Sequence, residues 1–234
     1  HIFDLVYCEI HNSPRSFGLF LFSQERGIEM ITDMSNKRHN LLETSSMVKI
    51  GMLSGLGVIL ILLNFPLPIF PAFLKIDLSD APAIVGTFYM GPAAGVLIQL
   101  LKNILKFIID NNTGGVGELA NFLVGSAYVV TLGLVFRKHQ SKSGVLSGCL
   151  LAIGSMTITA AVLNYYVFIP AFAWVLGYPV SAFVDMAAAV NSRVVDLRTL
   201  IIYGIVPFNL FKGALVSFVG YGLFKALQPL WKLK

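Results

Sequence analysis

Three formal charges fall within six residues at Lys75-Ile76-Asp77-Leu78-Ser79-Asp80, between two strongly apolar segments. Ahead of them runs Phe65-Pro66-Leu67-Pro68-Ile69-Phe70-Pro71-Ala72-Phe73, whose prolines deny the backbone a regular helix. A charged island at the mouth of a hydrophobic helix is either a surface loop anchoring that helix or part of a polar site. An apolar, helix-forbidden loop that leads into a charged turn suits a lid over a membrane-embedded pocket; a plain connector would be shorter and more polar. The solvent follows from composition. The chain has 234 residues, 56% hydrophobic and only 12% charged, with a mean hydropathy of +0.77. Globular domains carry about 25% charged residues. A soluble protein could not cover its surface with half of that, so the sequence describes an integral membrane protein of one domain.

Several classes of chemistry find no support. Cys8 and Cys149 stand far apart, and His1, His11, His39 and His139 are scattered without a second ligand at zinc-like spacing. No G-x-x-x-x-G-K-[ST] phosphate loop is present, so uphill movement of a substrate would need another subunit or an ion gradient. The net charge of +5 does not point to nucleic acid, because the basic residues flank apolar runs as membrane orientation signals do.

Residues 1–46 differ from the rest. The apolar run from Phe17 to Phe22 is too short to span a bilayer, which takes about 20 residues. We expect the functional protein to begin near Met34, with the preceding segment a leader. A first membrane helix over Lys49–Asn64 is stopped by Pro66, and its Gly51 and Gly55 lie four apart on one face. Small residues at that spacing let helices approach closely, either inside the bundle or against a partner subunit.

A short helix over Asp80–Tyr89, with Ser79 or Asp80 as N-cap and Pro82 in its first turn, is too short to cross alone. Gly91-Pro92 breaks it, and a helix over Ala93–Ile109 follows, interrupted by Lys102, Asn103 and Lys106. Asp110 ends that helix, which places Lys106 at the interface and leaves Lys102-Asn103 as the more interesting pair. After the turn-rich Asn111–Gly117 loop, Glu118 opens a helix over Leu119–Phe136, where its charge favours the helix N-terminus. A long helix over Val145–Ile169 carries Asn164 and stops before Pro170; residues 171–198 read as amphipathic helices or a short hairpin. The last helix, Thr199–Leu227, contains Pro207, Asn209 and Lys212. Six membrane elements result. Basic residues gather before the first helix, at Arg137–Lys142 and in the tail, which puts both termini in the cytoplasm and the charged island outside.

Arg198 and Lys225 are the nearest charges on either side of Lys212. A lysine so deep in an apolar run costs a few kcal/mol or more unless it is paired or faces water. Asn209, three residues earlier, shares its face. Lys212 either snorkels from an off-centre helix or joins a polar cluster that hydrogen-bonds a small ligand. Asn164, Asn209 and Lys212 together offer amide donors and acceptors plus a cationic donor, a set suited to a flat heterocycle with imide-like edges. Tyr165, Tyr166, Phe168 and Trp174 either stack on such a ring or anchor the interface, the commoner role.

Phe65-Pro66-Leu67-Pro68, Leu74-Lys75-Ile76-Asp77-Leu78-Ser79-Asp80-Ala81-Pro82-Ala83, Gly91-Pro92-Ala93-Ala94-Gly95, Leu101-Lys102-Asn103 and Gly117-Glu118-Leu119-Ala120-Asn121-Phe122 resemble the riboflavin-specific substrate-binding component of energy-coupling factor (ECF) transporters. The resemblance covers about residues 47–228. It implies an all-α, six-helix membrane protein with a short second helix and a capping loop after helix 1, occupying residues 47–234 of the chain and sitting multi-pass in a bacterial plasma membrane. It also implies riboflavin captured from outside as transported ligand with no cofactor, a transmembrane coupling subunit and two cytoplasmic ATPases as partners, and no enzymatic activity. Asn164, Asn209 and Lys212 match its ligand contacts in order and character; Phe70, Leu74, Lys75 and Asp77 of the capping loop and Glu118 complete the expected pocket. Gly51 and Gly55 stand where the family's small-residue motif, usually alanines, meets the coupling subunit. The alternatives are a related component for another vitamin or small heterocycle, a membrane enzyme using Lys212 and Glu118 as acid and base, and a structural scaffold.

Overall fold

The computed structural model describes residue 41, residues 43–139 and residues 142–231, the side chains of 142 and 228–231 excepted. The expected start near Met34 and the apolar run Phe17–Phe22 lie outside these residues. Helix α1, Thr44–Leu62, leads into a two-residue antiparallel pair, β1 Phe65–Pro66 with β2 Lys75–Ile76, in which Phe65 faces Ile76 and Pro66 faces Lys75. The proline-rich loop is therefore pinned at its base rather than wholly irregular. Then follow α2 Ala81–Met90, α3 Pro92–Ile109, α4 Val116–Lys138 and α5 Lys142–Leu163, continued through a π turn, Asn164–Phe168, into α6 Ile169–Leu176. After α7 Val180–Ala188, the short α8 Leu197–Leu200 runs through a second π turn, Ile201–Ile205, into α9 Val206–Trp231.

Among the described residues, five helical stretches are long and apolar enough to cross a membrane: Thr44–Leu62, Pro92–Ile109, Val116–Lys138, Ser143–Leu176 and Leu197–Leu227. The expected sixth, α2, is an apolar helix of ten residues, too short to cross. Its whole circumference is buried, and it packs on α1, α3, α4 and α9. A helix that is apolar all round belongs inside a bundle. Gly91 ends it with φ +91°, a conformation glycine adopts without strain, and a Cβ there would run into the Arg137 guanidinium. Tyr89 OH donates to Phe224 O at 2.9 Å and Tyr128 OH bonds Ser217 Oγ at 2.6 Å, tying α2 and α4 to α9. Where no water competes, such bonds fix helix positions that apolar contact alone leaves loose.

Pro170 does not end its helix, contrary to expectation. Ile169 N–H bonds Asn164 O, and Val206 N–H bonds Ile201 O, each five residues back. Pro170 and Pro207 each stand two residues beyond their π turn. A helical proline lacks its N–H and its ring crowds the carbonyl four residues earlier; the wider turn relieves that crowding, and the helix continues.

Candidate functional site

A cavity of about 370 Å³ opens between the loop, α4, the α5–α6 stretch and α9. On one long helix its lining residues are Met156, Ala160 and Asn164, then Ile169, Phe172 and Leu176. The steps of four residues become one of five across the π turn, which absorbs the extra residue and keeps both halves facing the cavity. Helix α9 contributes Phe208, Asn209 and Lys212, and the loop Phe73, Leu74, Lys75, Asp77 and Asp80.

Of the residues singled out in the sequence, Leu74, Lys75, Asp77, Glu118, Asn164, Asn209 and Lys212 all line this one cavity. Phe70 does not; it packs behind the loop in a core with Ile76 and Phe208, its ring edge-on to Phe208 at 5.3 Å. Gly51 and Gly55 lie apart from the cavity, and a Cβ on either meets nothing within 4 Å.

The charges of the loop turn inward. Asp77 accepts from Ser79 N and Ser79 Oγ, and its other oxygen accepts from Lys212 Nζ at 2.9 Å. Asp80 accepts from Lys102 Nζ at 2.5 Å and Gln99 Nε2 at 2.9 Å through Oδ1, while its Oδ2 stands 3.6 Å from Lys212 Nζ. All four ionic groups are buried, and two carboxylates balance two ammonium groups. Asp80 occupies the N-cap position of α2 without a side-chain capping bond, because Lys102 and Gln99 occupy its carboxylate. Burial alone would raise this carboxyl, but Lys102 and Lys212 together hold it well below the usual carboxylate range.

A second cluster lines the cavity where α3 meets α4. Lys106 Nζ bonds Asp110 O at 2.5 Å and Asp110 Oδ2 at 2.6 Å, and stands 3.6 Å from Glu118 Oε1. Thr113 Oγ1 donates to Glu118 Oε2 at 2.5 Å. Lys106 is thus buried and paired, with Asp110 and Glu118 as its partners inside the protein. Glu118 and Lys212 line the same cavity.

Asn164 Nδ2 donates to Ala160 O at 2.8 Å and Asn209 Nδ2 to Ile205 O at 2.8 Å. Each amide is tethered to its own helix, and each carboxamide belongs to a cavity-lining residue. The aromatic wall was missed in the sequence. Tyr166 and Trp174 are 73% and 85% exposed and Phe168 is wholly buried in the core, so none of these lines the cavity. Phe73, Phe172, Phe183 and Phe208 do, with Phe73 edge-on to Phe183 at 5.5 Å and Phe172 tilted to it at 6.3 Å. The step of five across Asn164–Ile169 was the only signal, and it is invisible without the π turn.

The arrangement offers a cavity with an aromatic wall, lined also by the amides of Asn164 and Asn209, the ammonium groups of Lys75, Lys106 and Lys212, and the carboxylates that pair with Lys106 and Lys212. Among the described residues no group of three or more His, Cys, Asp or Glu side chains is placed to hold a metal ion.

Residues 45–224 match the family model described as ECF transporter, substrate-specific component. The riboflavin transporter FmnP of Bacillus subtilis (strain 168) is 37% identical over 190 residues, 80% of this chain and 94% of that protein. The riboflavin transporter RibU of Staphylococcus aureus (strain TCH60) is 31% identical over 196 residues, 84% of this chain and 97% of that one. A solved structure, described as structure and mechanism of the S component of a bacterial ECF transporter, superposes with a TM-score of 0.63 at 31% identity, covering 80% of this chain and 96% of its own. These similar proteins are transporters by name, not enzymes.

Proposed function

The chain belongs to the substrate-specific components of ECF transporters, and on that footing we propose that it is the riboflavin-binding subunit of an ATP-driven vitamin uptake transporter. The observation that carries the reading is the single cavity that gathers Asn164, Asn209 and Lys212 against an aromatic wall. Riboflavin matches it chemically: a flat tricyclic ring with an imide-like edge fits the amides and the ammonium group, and the ribityl hydroxyls fit the Lys106–Glu118 side. A cavity of about 370 Å³ is of the size that encloses a small heterocycle.

Substrate enters from the outer side, under the loop between α1 and α2. Basic residues before α1, between α4 and α5 and after α9 favour cytoplasmic termini, which leaves that loop outside in a bacterial plasma membrane. The substrate-binding domain spans residues 47–234, preceded by a leader or cytoplasmic segment. Energy comes from two cytoplasmic ATPases through a transmembrane coupling subunit, which docks on the α1 face bearing Gly51 and Gly55; the open space at both positions supports close helix approach there. The test is uptake of labelled riboflavin into vesicles holding the chain with its ATPase module. Uptake that needs ATP and this chain is expected; uptake without either, or none with both, overturns the reading.

A further inference from the structure

Lys102 is the one ammonium group of the buried network that does not line the cavity, and it is 0% exposed. It bonds Asp80 Oδ1 at 2.5 Å and Ser79 Oγ at 2.8 Å, reaching the loop from behind. Its stem lies against α1, where a Cβ on Gly57 would be 3.3 Å from Lys102 Cδ. A buried charge with no access to the ligand needs another reason to be there.

That reason lies in the donors of Lys212. An ammonium group has three. One goes to Asp77 Oδ2 at 2.9 Å, whereas Asp80 Oδ2, at 3.6 Å, stands beyond hydrogen-bond range. Lys212 therefore keeps donor capacity on its cavity side. The groups around Asp80 are Lys102 and Gln99 from α3, Lys212 from α9 and, through Lys212, Asp77 of its own loop. With Lys102 removed, the strongest remaining partner for the Asp80 carboxylate is Lys212, and closing on it consumes the donors that face the cavity.

We propose that Lys102 is a positioning residue: by holding Asp80 and Ser79 from behind, it keeps a Lys212 N–H available to the ligand. The proposal rests on the reading of Lys212 as a ligand contact.

The test uses the full chain in detergent, titrated with riboflavin by fluorescence quenching, in wild-type, Lys102→Met and Lys102→Met/Asp80→Asn forms, with a melting curve for each. Lys102→Met weakens binding by roughly ten- to hundredfold, the worth of a hydrogen bond to a charged group. The charge-balanced double variant binds more tightly than Lys102→Met, because no Asp80 carboxylate is left to close on Lys212. Lys102→Met binding that equals wild type, or a loss no larger than its melting shift explains, overturns the proposal. So does a double variant that melts like wild type yet binds no more tightly than Lys102→Met or, where Lys102→Met does not fold, shows no binding at all. If the wild-type chain itself ignores riboflavin, the ligand assignment falls first and the proposal with it.

Discussion

Lys212 Nζ donates to Asp77 Oδ2 across 2.9 Å, joining residues 135 positions apart in the chain. The bond fastens the loop between α1 and α2 onto the final helix at the wall of the cavity. Loop closure and the polar edge of the binding site are therefore one interaction, and perturbing either end disturbs both.

Removing one member of a buried ion pair leaves the other uncompensated, at a cost of about 3–5 kcal/mol. Lys212→Met is expected to lower the melting temperature and abolish high-affinity flavin binding. Lys212→Met/Asp77→Asn should regain most of the thermal stability, because no charge is stranded, while binding stays lost. Calorimetry with a flavin titration on the same samples checks both parts.

Asn164→Ala and Asn209→Ala should each weaken flavin binding by roughly tenfold or more. Each amide nitrogen bonds a carbonyl of its own helix, so the cost to the fold is about 1 kcal/mol or less. Titration of both variants, with melting curves close to wild type, is the measurement.

Acidification has a definite sign at Asp80. Its folded-state value is depressed, so its contribution to stability is fully present above the unfolded carboxylate value, about 3.9. The contribution is lost as pH falls through the folded-state value. This group therefore gives a melting temperature level from about pH 8 to about pH 5 and falling below about pH 4. A melting series over pH checks this, and Asp80→Asn should flatten the acid limb.

Glycines on α1 separate folding from coupling. A Cβ at Gly51 or Gly55 meets nothing within 4 Å, so in Gly51→Leu and Gly55→Leu melting and flavin titration in detergent should match wild type while ATP-driven uptake is lost. Gly57→Leu instead drives a Cβ to 3.3 Å from both Ser79 O and Lys102 Cδ. Overpacking of that kind costs about 1–3 kcal/mol and should loosen the loop. Parallel melting and uptake assays distinguish the two faces.

The spanning helices were legible because length and hydropathy set them, and Lys212 and Asn209 stood out because polar groups are rare in such runs. What escaped were pairings distant in sequence. Nothing local to Asp77 points to Lys212, and nothing local to Lys106 points to Glu118, which stands 3.6 Å from it on α4. Pro170 read as a stop because the proline rule assumes an α turn; a π turn absorbs the proline and brings Phe172 into the cavity wall. Phe70 read as a pocket residue from its place in the loop, yet its neighbours are Ile76 and Phe208. Side-chain direction within a proline-rich loop has no periodicity from which to read it.

The most direct measurement is the absorbance and fluorescence of the detergent-purified chain, before and after titration with riboflavin. The account predicts a flavin spectrum with strongly quenched fluorescence that saturates at one ligand per chain, the mark of a ring enclosed by Phe73, Phe172 and Phe183. A titration in which flavin fluorescence never departs from that of free riboflavin would contradict it.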